Sequence, residues 1–156
     1  MKRFLMGVLL LLSVLSLSLT QAVLPAWADV DQAAAEATES FLSTLPDDYW
    51  SIKEIDQLKA LLENDRAQLI DVREPGEYAA GHIEGAVNIP LRLLAVHQPF
   101  LPDDRPLILY CSSGYRTAMG VTVLHLLGVD QVYGYQPSLQ GWQAAGEAIV
   151  VSQPLS

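Results

Sequence analysis

Cys111 is the single cysteine of this chain, so no internal disulfide can form and no cysteine pair is present to hold a zinc ion. Histidine is nearly as scarce. His82, His97 and His125 stand apart with no metal-ligand spacing, and no metal is expected. Basic side chains are also few: beyond residue 28 there are 7 Lys and Arg against 18 Asp and Glu, a net charge of −11 with histidine neutral. Such a surface repels phosphate backbones and anionic headgroups, which argues against nucleic-acid binding and electrostatic membrane association. Internal repeats and low-complexity tracts are absent, and only one long apolar run occurs, near the N-terminus.

That run has the parts of a secretory signal peptide. Lys2 and Arg3 precede an apolar stretch over residues 4–19, and Ala26-Trp27-Ala28 is a small-x-small pattern that signal peptidase cleaves. Residues 1–28 are therefore expected to be a signal peptide that exports the chain, to a periplasm in the simplest case. An uncleaved run would instead leave the protein on an N-terminal membrane anchor. No cysteine follows the run, which excludes a lipoprotein anchor. The remaining 128 residues are one domain's worth of chain and enough for a self-sufficient core. Residues 29–48 read as a helical extension, with Ala33, Ala37, Phe41 and Leu45 near one face and Pro46 interrupting it. Residues 49–152 carry the domain proper.

Within the domain, short apolar runs of strand length alternate with segments of helical spacing. Ser51 and Glu54 form a capping-box pattern before Ile55, Leu58, Leu61 and Leu62, which predicts a first helix to about residue 63. Residues 49–52 can also open a short strand, and strands are expected over 68–72, 86–89, 107–110 and 132–135, with an edge strand over 149–151. Helices are expected over 75–81, 116–127 and 139–145, with helical spacing at Leu91, Leu94 and Ala95. This alternation predicts an α/β fold of three layers, a mostly parallel sheet with helices on both faces, in which ligands bind beyond the carboxyl ends of the strands. Cys111 lies at such an end.

Cys111, Ser112, Ser113, Gly114, Tyr115, Arg116 and Thr117 form a loop between a buried strand and an amphipathic helix. Small residues let successive backbone N–H groups turn inward as an anion-binding nest, and the positive end of the following helix adds to the field. A thiol there is expected to ionise below its ordinary pKa and become nucleophilic. The hydroxyls of Ser112, Ser113 and Thr117 are expected to donate toward sulfur, and Arg116 to reach back over the loop and hold an anionic substrate. Cys111 and Arg116 are the candidate catalytic pair, and Ser112, Ser113, Gly114, Tyr115 and Thr117 the candidate substrate-binding residues.

These residues resemble the rhodanese family of sulfurtransferases. The run DVREPGEYAAGHIEGAVNIP at 71–90 is similar to the family's first signature, CSSGYR at 111–116 to its six-residue active-site loop, and LQGW at 139–142 to part of its C-terminal signature. The resemblance covers about residues 51–150 and implies a rhodanese-like fold and a covalent, ping-pong mechanism. The Cys111 thiolate would take the outer sulfur of a thiosulfate-like or persulfide donor, and a thiol or cyanide would remove it. The backbone amides of 112–117 would hold the persulfide and Arg116 the donor's anionic end, with no metal or organic cofactor. In the first signature, Arg73 and Glu77 are expected to pair with one another and His82 to satisfy backbone groups, whereas Asp71 stays outside the catalytic set. Two departures bear on substrate. Gln136-Pro137-Ser138-Leu139-Gln140-Gly141 stands where the family usually has a glycine pair before its tryptophan, and the loop lacks the second positive side chain of some thiosulfate-using relatives.

Two other functions fit a cysteine and an arginine around an anion. A phosphatase or arsenate reductase usually has five residues between them, and this loop has four; nor is an aspartate evident as the acid that phosphate-ester cleavage needs. A non-catalytic rhodanese module that binds a partner or senses oxidants fits the same loop, because an accessible low-pKa thiol is prone to sulfenic acid formation.

Overall fold

The computed structural model describes residues 26–63 and 66–151. The signal-peptide reading falls, apart from its cleavage pattern, on residues outside those described. The chain divides into two units after Ser43. In the first, helix α1 (Ala26–Ser43) keeps residues 32–40 exposed and is supported locally, by Gln32 Nε2 donating to Glu36 Oε1 at 2.8 Å and by Thr38 Oγ1 donating to the Ala34 carbonyl at 2.7 Å. The helix ends before Leu45, which the sequence placed on its apolar face. Among the described residues no helix is long and apolar enough to cross a membrane.

The second unit holds a sheet of five strands, all parallel, in the order β1-β5-β4-β2-β3. They are β1 (Ser51–Ile52), β2 (Gln68–Asp71), β3 (Val87–Asn88), β4 (Leu107–Tyr110) and β5 (Val132–Tyr135). Helices α2 (Ile55–Leu62), α3 (Pro75–Ala80), α4 (Leu94–His97, between two short 3-10 turns), α5 (Tyr115–Leu126) and α6 (Ser138–Ala144) complete it. The alternation of side chains along a strand builds two cores. From β4, Ile108 and Tyr110 pack with Leu58, Leu139 and Trp142, on the side of α2 and α6. Leu107, Leu109 and Cys111 pack with Leu94, Val121 and Leu124, on the side of α4 and α5. Every side chain of β4 is buried, as expected of a central parallel strand covered on both faces.

Three local expectations are corrected. Ser51 caps no helix, because Ser51 and Ile52 are committed to the ladder with β5 and Glu54 stands at the N-cap of α2 without a side-chain cap bond. A capping box forms instead at α3, between Glu74 and Glu77. Residues 149–151 make no edge strand; Val150 contributes a single antiparallel bridge to His82. Arg73 and Glu77 do not pair. The i, i+4 rule needs both residues on one helix, and Arg73 precedes the N-cap Glu74, so its side chain turns back along the strand end. There it meets Asp71, NH2 to Oδ2 at 2.6 Å, and also donates to the Gly81 carbonyl at 2.7 Å.

Candidate active site

Strand β4 ends at Tyr110, at the centre of the sheet, and the chain turns sharply through residues 111–114 before entering α5. Cys111 is 1% exposed. Its sulfur sits in the mouth of the turn, where the Gly114 N–H donates to Sγ at 3.2 Å. The turn requires a left-handed residue, and Gly114 supplies it at φ +94°; a Cβ there would lie 2.6 Å from the Gln136 carbonyl oxygen. Gly114→Ala is therefore expected to cost at least about 1–2 kcal/mol of stability and to raise the thiol's pKa by moving the 114 N–H off the sulfur. Thermal melts and the pH profile of thiol reactivity check both effects.

The electrostatics follow from that cradle. Burial pushes the Cys111 thiol up, but the Thr117 hydroxyl and the N–H groups of Thr117, Ser113 and Gly114 favour the thiolate, and the net result is a pKa lowered from 9.0 to about 7. Thr117 is thus the one hydroxyl of the three expected donors that serves the sulfur. Ser112 Oγ donates to Glu77 Oε1 at 3.1 Å instead, and Ser113 has an exposed side chain and contributes through its backbone. Tyr115 is 80% exposed.

Arg116 is engaged. Its NH1 and NH2 donate to Glu77 Oε2 and Oε1 at 2.7 and 2.8 Å, and NH2 also donates to Ser112 Oγ at 2.9 Å. Glu77 is the third residue of α3, on the far side of β2, so this fork joins two segments 39 positions apart. The Arg116 hydrogen bonds, with the Glu74 N–H and the Ser112 hydroxyl, hold the Glu77 carboxyl at about 2, against burial, which opposes them. Arg116 is in turn held above the ordinary arginine range, first by its bonds to Glu77 and also by the charge of the Cys111 thiolate.

Ser138 completes the floor, and the sequence marked it only as part of a departure from the glycine pair. Fully buried, it adopts φ +54°, which suits the glycine usual in that region. Its hydroxyl accepts the Cys111 N–H at 3.3 Å, lies 3.9 Å from Sγ and 3.3 Å from Thr117 Oγ1, and donates to the Tyr135 carbonyl at 3.0 Å. Behind it the first N–H groups of α6 bind the loop's carbonyls, Leu139 to Cys111 and Gln140 to Ser112, each at 3.0 Å. The signal for Ser138 was its position, a non-glycine where tight backbone was expected; for Glu77 it was its charge, which the spacing assigned to Arg73 in place of Arg116.

The other singled-out residues lie elsewhere. Asp71 is fully buried against Arg73. His82 stacks on Tyr78, with Nδ1 2.9 Å from the Tyr78 carbonyl; His125 stacks on Trp50; His97 Nδ1 lies 2.9 Å from the Leu93 carbonyl. Among the described residues no group of three or more His, Cys, Asp or Glu could hold a metal ion.

The fold that carries this loop has counterparts among known proteins. The sequence model of the Rhodanese-like domain matches residues 54–145. The uncharacterized protein YqhL of Bacillus subtilis is 39% identical over 77 residues, 49% of this chain and 61% of that protein; the chain thus spans less than two thirds of this relative. A protein named sulfurtransferase from Allochromatium vinosum is 29% identical over 93 residues, 60% of this chain and 87% of that protein. Among solved structures, the human single-domain sulfurtransferase TSTD1 superposes with a TM-score of 0.56 at 28% identity, covering 60% of this chain and 95% of that one. With more than half of its length matched, and with the fold of these structures, the chain belongs to the rhodanese-like domain family.

Proposed function

We propose that this protein is a sulfurtransferase that carries sulfane sulfur on Cys111. Family membership and the two similar proteins named as sulfurtransferases support sulfur transfer in general. The observation that carries the finer reading is the Cys111 thiol itself, lowered to about 7 inside a ring of inward N–H groups. The thiolate attacks the outer sulfur of the donor; the donor's S–S bond breaks, its electron pair leaves with sulfite or a thiolate, and the sulfur remains as Cys111–S–S⁻. An acceptor thiol or cyanide then attacks that outer sulfur and restores the Cys111 thiolate. The inward N–H groups hold the charge that the persulfide keeps, and the chemistry needs no added cofactor. The leader-like N-terminus supports action after export, in a periplasm or comparable compartment.

Intact-mass spectrometry of the purified protein tests this directly. Incubation with thiosulfate or an organic persulfide is expected to add one sulfur, about 32 Da, and cyanide to remove it. The rate of loading is expected to rise with pH and level off above about 7, because the thiolate reacts and the thiol does not. The rival reading as a partner-binding module is favoured by one observation, the 1% exposure of Cys111, which at the same time counts against oxidant sensing. It gains if neither donor loads the protein while Cys111 still alkylates.

A further inference from the structure

The bidentate fork between Arg116 and Glu77 bears on which donors the site accepts, an inference that rests on the sulfurtransferase reading. The loop over residues 111–117 holds one positive side chain, Arg116, and both its terminal nitrogens already bind the Glu77 carboxylate. Neighbouring cations are spent in the same way. Arg73 pairs with Asp71 inside the fold, and Arg92 NH2 donates to Glu74 Oε1 at 2.9 Å. The ionised centre therefore comprises the Cys111 thiolate, Arg116 and Glu77, a net charge of −1. A dianion that reaches the sulfur must displace Glu77 from Arg116 or lie beside its charge.

From this geometry we infer that Glu77 is a specificity-determining residue that turns the site away from dianionic donors such as thiosulfate and toward organic persulfides with an uncharged chain. For a persulfide R–S–SH the transfer balances without a further reactant. The Cys111 thiolate attacks the outer sulfur, the S–S bond to R breaks, RS⁻ leaves with the electron pair, and Cys111–S–SH forms. No anionic tail has to be held, so Arg116 keeps its pair with Glu77 throughout. With thiosulfate the outgoing sulfite carries two negative charges past the Glu77 carboxylate, which opposes both binding and departure.

The test compares loading of Cys111 by thiosulfate and by 2-hydroxyethyl persulfide, followed by intact mass, in wild type and Glu77→Gln. Glutamine keeps the shape and one oxygen, which can accept from Arg116 NH1 and the Glu74 N–H as Glu77 Oε2 does at 2.7 and 3.2 Å; it removes the charge and, with an NH2 in place of Oε1, the acceptor for Arg116 NH2 and Ser112 Oγ. The ratio of thiosulfate to persulfide second-order rate constants is expected to rise at least about tenfold in Glu77→Gln. A purely structural role would change both rate constants together, and an unchanged ratio overturns the inference. A second measurement needs no variant. Wild type is expected to load fastest from the persulfide with an uncharged chain, more slowly from a monoanionic alkyl thiosulfonate, RSO2S⁻, which gives up its terminal sulfur and leaves as the sulfinate, and slowest from thiosulfate, and the reverse ranking overturns the inference too. If wild type is loaded by none of the three, the sulfurtransferase reading itself fails and this inference with it, an outcome distinct from loading with the wrong ranking.

Discussion

Arg73→Ala is expected to be the most destabilising single substitution in the signature over residues 71–90, lowering the unfolding free energy by about 3–5 kcal/mol. The Asp71 carboxylate is 0% exposed, and Arg73 meets it through Nε and NH2 at 2.6–3.0 Å. Removing the guanidinium leaves that carboxylate buried without a counter-ion and the Gly81 carbonyl without its donor. The chain around the pair is braced on it. The Asp71 side chain accepts the Arg73 N–H at 2.9 Å, and Asn88 Nδ2 donates to the carbonyls of both residues at 2.9 Å, tying β2 to β3. Against the roughly 5–15 kcal/mol that holds a typical domain together, such a loss is a large share. Urea denaturation measures it, and a loss under about 1 kcal/mol would show that water or a rearranged neighbour satisfies Asp71. The double variant Asp71→Asn, Arg73→Met is expected to recover much of the stability, since removing both charges relieves the unpaired one.

Cys111→Ser is expected to abolish sulfur loading while leaving the fold intact. No second thiol exists to take over, and a serine hydroxyl does not ionise near neutrality. The substitution nearly conserves volume, and the buried hydroxyl has Ser138 Oγ and the Gly114 N–H within reach of its position, so a stability change within about 1 kcal/mol is expected. One stability difference should nonetheless appear. The thiol's pKa is lower in the folded protein than in the unfolded chain, so between about 7 and 9 the unfolded state binds more protons and folding gains stability as pH rises. That gain is fully present above the ordinary value of 9.0, is lost as pH falls through about 7, and should be missing from Cys111→Ser. Denaturation curves for both proteins between pH 6 and 9.5 check it; parallel curves would mean that the cradle does not favour the thiolate.

Much of this molecule is legible in its sequence. The strands over 107–110 and 132–135 match β4 and β5 residue for residue, because a short, fully apolar run bounded by turn residues has few other ways to bury both faces. Alternation of such runs with helical spacing determined that the sheet is mostly parallel and hence the place of Cys111 at a strand's carboxyl end. The composition of the loop determined the cradle as well, since only small residues allow successive N–H groups to point inward. These are local properties, carried by residues close in sequence.

What only the tertiary structure decided is which charges meet. Sequence spacing paired Arg73 with Glu77, but the sheet brings α3 beside the Cys111 loop, so Glu77 takes Arg116 from 39 positions away and Arg73 turns to Asp71. Ser138 likewise became part of the cysteine's floor because β5 lies next to β4 and delivers α6 against the loop. Packing and capping patterns repeat with the period of a helix or strand and can be read along the chain. An ion pair across the sheet has no period; it depends on the order of the strands and on the direction in which each side chain leaves its element.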